Sequence, residues 1–239
     1  MKAKPWWRLT APHEKALVHT QGQRLVVVVL DSRGCWGSGP EAEATVRADL
    51  EKTGLWRTWD DVRFARQAFE QRFRGLFVQL LERDRQRQGP EACESALSVL
   101  MVVANGAQVS VVQAGLYNAI WMRDRSLIKR TEKPTDPLPT PPDAALVHGR
   151  RKATALDLVH TDRVYCPTKW TEPMPVLPRW EVQRGDELVV AERLFFKGFH
   201  TGPPGIGHAQ SSALDWSAVS GRRHVEVLRV SFDGPTGGR

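Results

Sequence analysis

Residues 25–39 read LVVVVLDSRGCWGSG. The run opens with six consecutive apolar residues rich in valine, a composition that disfavours a helix interior and shows no polar alternation. Such a run predicts a strand buried on both faces, with a layer of structure on either side. It ends in an acid, Asp31, and Gly34, Gly37 and Gly39 then break the pattern. A carboxylate at the end of a buried strand needs compensation from a cation or from hydrogen-bond donors.

The neighbouring pattern supplies the other layers. Residues 41–52 are helical in composition, with Ala42, Val46 and Leu50 on one face and Gly54 placed as the C-cap. A second helix is predicted over 60–88, with Phe64, Ala68, Leu76, Leu80 and Leu81 as its apolar positions and Gly89-Pro90 as its stop. The period then changes to two: 96–103, 108–114 and 118–122 read as strands. Asn105-Gly106 predicts a hairpin turn, since both residues tolerate positive φ. Arg123-Asp124-Arg125-Ser126 is a second turn, and 127–130 closes a meander. Residues 134–142 and 167–178 are Pro-rich connectors, and 199–207 is a Gly/Pro-rich loop. Strands are predicted over 186–191, after the turn Arg184-Gly185, and over 224–232. Two helices, a strand meander and further strands predict an α+β layered domain rather than alternating βαβ units. The expected extent is one domain over 1–233, with 234–239 as a flexible tail.

Composition narrows the function classes. The chain has 239 residues, 41% of them hydrophobic, enough for a sizeable core. No stretch is apolar and long enough to span a bilayer, and the first residues lack the apolar centre of a signal peptide. The expectation is a cytoplasmic protein without membrane partners. Net charge is +7. Arg63, Arg66, Arg72, Arg74, Arg83, Arg85 and Arg87 are scattered through one helical segment without a helix-turn-helix, zinc-finger or RNA-recognition signature, so a solvated helix face is favoured over specific nucleic-acid binding. Cys35, Cys93 and Cys166 form neither a CxxC pair nor a zinc spacing and read as reduced, partly buried thiols. His148, His160, His200, His208 and His224 are dispersed and show no ligand spacing. The loop GFHTGPPGIGH lacks the Lys-Ser/Thr ending of a P-loop. Trp56, Trp59, Trp170 and Trp180 are expected to pack in the core, with a partner-binding surface as their second role.

Four segments, in one order, resemble the PPM-type (protein phosphatase 2C-like) family. LVVVVLDSRG is similar to that family's apolar strand ending in Asp-Gly-x-Gly-Gly. ESALSVLMVVANGAQVSVVQAGLYNAIWMRDRSLIKRT resembles its Gly-Thr-Thr strand, hairpin, Gly-Asp-Ser-Arg strand and Arg-Asp-Gly turn. VQRGDELVVAERL resembles Pro-Gly-Asp-x-Leu-Leu-Leu-x-Ser-Asp-Gly-Leu, and GRRHVEVLRVSF stands where the family has Asp-Asn-Ile-Thr before a valine-rich strand. The resemblance implies a sandwich of two antiparallel sheets flanked by helices. It also implies a metal-dependent protein serine/threonine phosphatase, in which two divalent ions, Mg or Mn, activate a water.

At the positions that carry this chemistry the chain departs from the family. Asp31 keeps the bridging acid, and Ser32 replaces the following glycine, although its backbone carbonyl can still serve as a ligand. Glu192-Arg193-Leu194 replaces Ser-Asp-Gly, so Arg193 stands at a metal-binding acid; Arg223-His224 replaces Asp-Asn. The nearest match to the N-terminal Asn-Glu-Asp is His13-Glu14-Lys15, which keeps Glu14 but sets Lys15 in place of the acid. Arg8 lies at the wrong offset to be the family's phosphate-binding arginine. Gly-Asp-Ser-Arg has become Gly115-Leu116-Tyr117-Asn118. Exchanging an acid for a cation changes the local charge by two units and opposes a dinuclear centre. Glu192 is the better substitute ligand, whereas Asp186 belongs to a turn and reads as structural. Asp31 caps the following loop, pairs with Arg193, or keeps a metal contact. Arg193 and Arg223 pair with Asp31 and Glu14, or bind phosphate. The resulting expectation is a pseudophosphatase that binds a phosphoprotein, a kinase or an assembly partner without hydrolysis and without a cofactor. One alternative is a divergent active phosphatase using Asp31 with Mg or Mn; the other is a structural subunit of a larger complex.

Overall fold

A computed structural model of the chain describes residues 7–11, 14–32, 38–90, 92, 95–115, 117–124, 126–130, 174, 176, 179–192 and 227–233. The three cysteines, the five histidines named above, Trp170, Arg193, Arg223, the segments 134–142 and 199–207, most of 167–178 and the tail 234–239 lie outside the described residues. In chain order the elements are β1 (Trp7–Ala11), β2 (Ala16–Gln21), β3 (Arg24–Asp31), α1 (Gly39–Thr53), a 3₁₀ turn (Leu55–Thr58), α2 (Val62–Gln88), β4 (Ser98–Asn105), β5 (Gln108–Ala114), β6 (Tyr117–Arg123), β7 (Ser126–Arg130), β8 (Trp180–Glu181), β9 (Glu187–Glu192) and β10 (Val227–Phe232). They form two five-stranded sheets, ordered β1-β10-β9-β6-β7 and β2-β3-β4-β5-β8. Every described pairing is antiparallel. The α+β sandwich expected from the sequence is the fold observed.

The valine run explains the layering. Successive strand residues face opposite sides. Val26, Val28 and Leu30 therefore enter the core beneath the helices, while Leu25, Val27 and Val29 enter the core between the sheets. Ala42, Val46 and Leu50 of α1 are buried as their spacing predicts. Of the stripe predicted for α2, Leu80 and Leu81 are buried, but the N-terminal part is rotated. Ala65, Phe69, Phe73, Phe77 and Leu80 face the sheet, Ala68 and Leu76 are only partly buried, and Phe64 is 56% exposed. One position along a helix is a rotation of about 100°. Where two apolar stripes overlap, the one carrying three phenylalanines excludes more area from water and takes the core.

The turns were legible with one correction. Gly54 has φ 63 and donates to the Leu50 carbonyl, capping α1. In the β4–β5 hairpin Asn105 still pairs with Gln108, so the turn residues are Gly106 and Ala107, and the positive φ (58°) falls on Gly106. Strands β1, β2 and β8 were not predicted. The predicted strand 96–103 begins two residues later, at Ser98, and of 224–232 the described strand is Val227–Phe232. Trp56, Trp59 and Trp180 are buried as expected.

Candidate functional site

Alternation along β3 sends its last residues in opposite directions. Asp31 continues the side of Val27 and Val29, toward the space between the sheets, and Ser32 continues the side of Leu30, toward the helices. Each finds a partner there that the sequence did not announce.

Between the sheets the partner is Tyr117. β5 ends in one sheet at Ala114, and β6 begins in the other at Tyr117. Gly115, with φ 93, makes the crossing. A Cβ built there would lie 2.4 Å from Ser98 Oγ and 2.9 Å from Ser98 Cα. Ser98 is itself the rung partner of Asp31. This close approach delivers the Tyr117 hydroxyl, which donates to Asp31 Oδ2 at 2.7 Å. Asp31 is 0% exposed and Tyr117 1%. The end of β9 arrives at the same place, because the Glu192 backbone pairs with Tyr117.

On the helix side the partner is Glu43, buried on α1. Its Oε2 accepts from Ser32 N (2.8 Å) and Ser32 Oγ (2.6 Å). Its Oε1 accepts from Lys15 Nζ at 2.7 Å, with Arg47 Nη2 4.0 Å away. Arg47 also donates to the Lys15 carbonyl at 2.8 Å. Lys15 shares the strand side of Leu17, which packs against the helix-side core. Its charge is met on that side by Glu43 rather than carried into the inter-sheet space. Sequence reading missed Glu43, whose position in the first turns of a polar helix carries no distinguishing signal.

Glu14 is exposed. Ala16 pairs with Val29, and Leu30 N donates to the Lys15 carbonyl, so the same register sets Glu14 opposite Asp31. The pairings proposed for Arg193 and Arg223, and the ligand role of Glu192, rest on side chains outside the described residues. Asp186 is structural, as its turn position implied. It is fully buried and accepts from Arg123 Nε (2.8 Å), Arg123 Nη2 (3.0 Å), Trp121 Nε1 (2.8 Å) and Gln183 N (2.7 Å). Burial pushes its carboxyl upward, but the Arg123 guanidinium, the Gln183 amide and the Trp121 indole outweigh that and hold it below the usual carboxylate range.

No protein-family model matches the chain, and no curated protein is significantly similar to it in sequence. Solved structures do match. The catalytic domain of the serine/threonine protein phosphatase PstP, in complex with two manganese ions, superposes with a TM-score of 0.53 at 15% identity, over 95% of this chain and 99% of that one. A bacterial serine phosphatase carrying a point mutation gives 0.54 at 9% identity, over 98% and 100%. Stp1 from Staphylococcus aureus gives 0.50 at 10%, over 96% and 94%. The chain has the protein phosphatase 2C-like fold.

Within that fold the metal site is the place to test. Two divalent ions a few ångströms apart require several carboxylates with free lone pairs and an open position for water. Among the described residues no three His, Cys, Asp or Glu side chains converge on a point. Asp31 is buried under a phenol, and both oxygens of Glu43, the nearest buried acid of the helix layer, are engaged by Lys15 and Ser32. The described residues therefore do not constitute a metal-ligand set. Among them no helix is long and apolar enough to cross a membrane.

Proposed function

We propose that this protein phosphatase 2C-like domain is a pseudophosphatase, which binds a phosphoprotein, a kinase or an assembly partner through the face around Asp31 and does not hydrolyse phosphate. The observation that carries this reading is the burial of the retained acid. Asp31 is 0% exposed and holds the Tyr117 hydroxyl at 2.7 Å. A bridging carboxylate in a working site must face a metal that in turn faces water and substrate. A tyrosine at the position matching the family's serine fills that approach.

A second reading, a divergent active phosphatase using Mg or Mn, draws on Glu14, whose register position opposite Asp31 keeps a second acid at the strand end. The experiment that separates the two is hydrolysis of a phosphothreonine peptide and of a simple aryl phosphate with Mn²⁺ or Mg²⁺. The pseudophosphatase reading expects no turnover above that of D31A. Metal-dependent turnover that disappears in D31A would overturn it and favour the active enzyme.

A further inference from the structure

Six of the seven arginines of α2 divide into two groups, and the seventh, Arg87, is exposed near Glu41 at the end of the helix. Those on the helix flanks have partners: Arg72 pairs with Asp49 and Arg83 with Glu41, both on α1, and Arg66 donates to the Met174 carbonyl on the other flank at 3.2 Å. Arg63, Arg74 and Arg85 are exposed, and their guanidinium groups have no hydrogen bond or ion pair among the described residues. They stand eleven residues apart. Eleven residues are about three helical turns, so the three charges form one row, about 16 Å from one to the next. Gln67, Gln71, Val78 and Glu82 lie along the same exposed strip, and Phe64 is exposed beside it.

We propose that this row is a docking surface for a carboxylate-rich helix of a partner protein. The inference is independent of the pseudophosphatase reading, since it uses the outer face of the helix layer and no residue near Asp31. Three observations select the occupant. The helix carries seven arginines and no lysine. Arginine is the cation enriched at protein interfaces, because its planar fork binds carboxylates with two parallel hydrogen bonds and is weakly hydrated. Phe64 and Val78, at 56% and 41% exposure, add apolar contacts that a phosphate backbone does not use. Glu82, lying between Arg74 and Arg85 along the strip, repels phosphates but accepts a cation from a mixed-charge helix. A helix laid alongside repeats its own side chains at the same spacing, so acids eleven residues apart meet all three arginines.

The test uses the full chain and a fluorescent alanine-rich helical peptide with glutamates eleven residues apart, at low ionic strength. A peptide of the same composition in scrambled order is the first control, and a DNA duplex is the second. The triple variant R63E/R74E/R85E is expected to bind the ordered peptide about tenfold more weakly, the product of three modest exposed ion pairs. The variant R8E/R179E/R184E makes the same charge change at exposed positions elsewhere and is expected to bind within about twofold of the parent. Circular dichroism of both variants checks folding. Equal weakening by the two variants, equal binding of the scrambled peptide, tighter binding of the duplex, or no peptide binding by the parent would each overturn the proposal.

Discussion

Two aspartates, one in each sheet region, are both wholly buried yet held in different ways. Asp186, beside β9, receives four hydrogen bonds, two of them from the Arg123 guanidinium, which also lies over the Trp121 ring. Asp31, at the end of β3, receives the neutral hydroxyl of Tyr117. The first arrangement cancels charge and orders a turn, and nothing about it invites a ligand. The Tyr117 hydroxyl is neutral and orders the Asp31 carboxylate by hydrogen bonding. A carboxylate held by a guanidinium, an indole and a backbone amide is structural; Asp31, buried at the junction of three strands, has the placement of the candidate site.

The largest expected effect tests how Tyr117 is delivered. Gly115→Ala forces a side chain into a φ of 93° and a Cβ into Ser98. Backbone strain and overpacking together are expected to cost about 3–5 kcal/mol, read as a chemical-denaturation midpoint. A near-neutral result would mean that the crossing from β5 to β6 is loose, and the contrast between the two acids would lose its geometric basis. Asp186→Ala comes next. It strands the donors of Trp121 and Gln183 and is expected to cost about 3 kcal/mol, with no effect on any ligand. If Asp186→Ala instead left stability unchanged, its description as the structural acid would fail.

Acid pH sharpens the same contrast. The folded-state carboxyl of Asp186 lies below its unfolded value of about 3.9. Its contribution is therefore complete above that value and is lost as pH falls through the folded one. Glu41 and Asp49 are shifted in the same direction, each first through its hydrogen bond to an arginine, so the acid limb is shared. Thermal melts between about pH 5 and pH 2.5 are expected to fall less steeply in Asp186→Asn than in the parent below about pH 4. Parallel curves would remove Asp186 from the acid transition.

The framework was legible because it rests on local rules. The valine run, the period-two strands and Gly54 each specify their structure within a few residues. The strands that escaped notice had weak local signals: β8 is two residues long, and β2 (ALVHTQ) is only half-buried and mixed in character. The phase of α2 escaped because the choice between stripes is made by the sheet it packs on. The site was half legible. Asp31 and Ser32 stood out by position, but their partners Tyr117 and Glu43 are 86 and 11 residues away, joined to them by the sandwich and the helix layer. Lys15 illustrates the limit. Its charge stood where an acid was expected, and only strand alternation reveals that it turns to the helix side and meets Glu43.

The last two predictions concern the two partners of the β3 end. Glu43→Ala removes the acceptor of Lys15 and of both Ser32 donors at once, and the expected cost is about 2 kcal/mol, moderated because Lys15 is partly solvated. Tyr117→Phe removes one hydroxyl and keeps the ring, so the expected cost is smaller, about 1.5 kcal/mol. The phenylalanine still covers Asp31, and a seal made by the ring leaves the melting temperature of this variant unmoved by Mn²⁺. A seal that depends on the hydrogen bond lets Asp31 recruit the ion in this variant, and stability then rises with the logarithm of metal concentration above the dissociation constant. Melts of Tyr117→Phe with and without Mn²⁺ distinguish the two. A metal-dependent rise, absent in Tyr117→Phe combined with D31A, would show that the Tyr117 hydroxyl takes part in keeping the ion from Asp31.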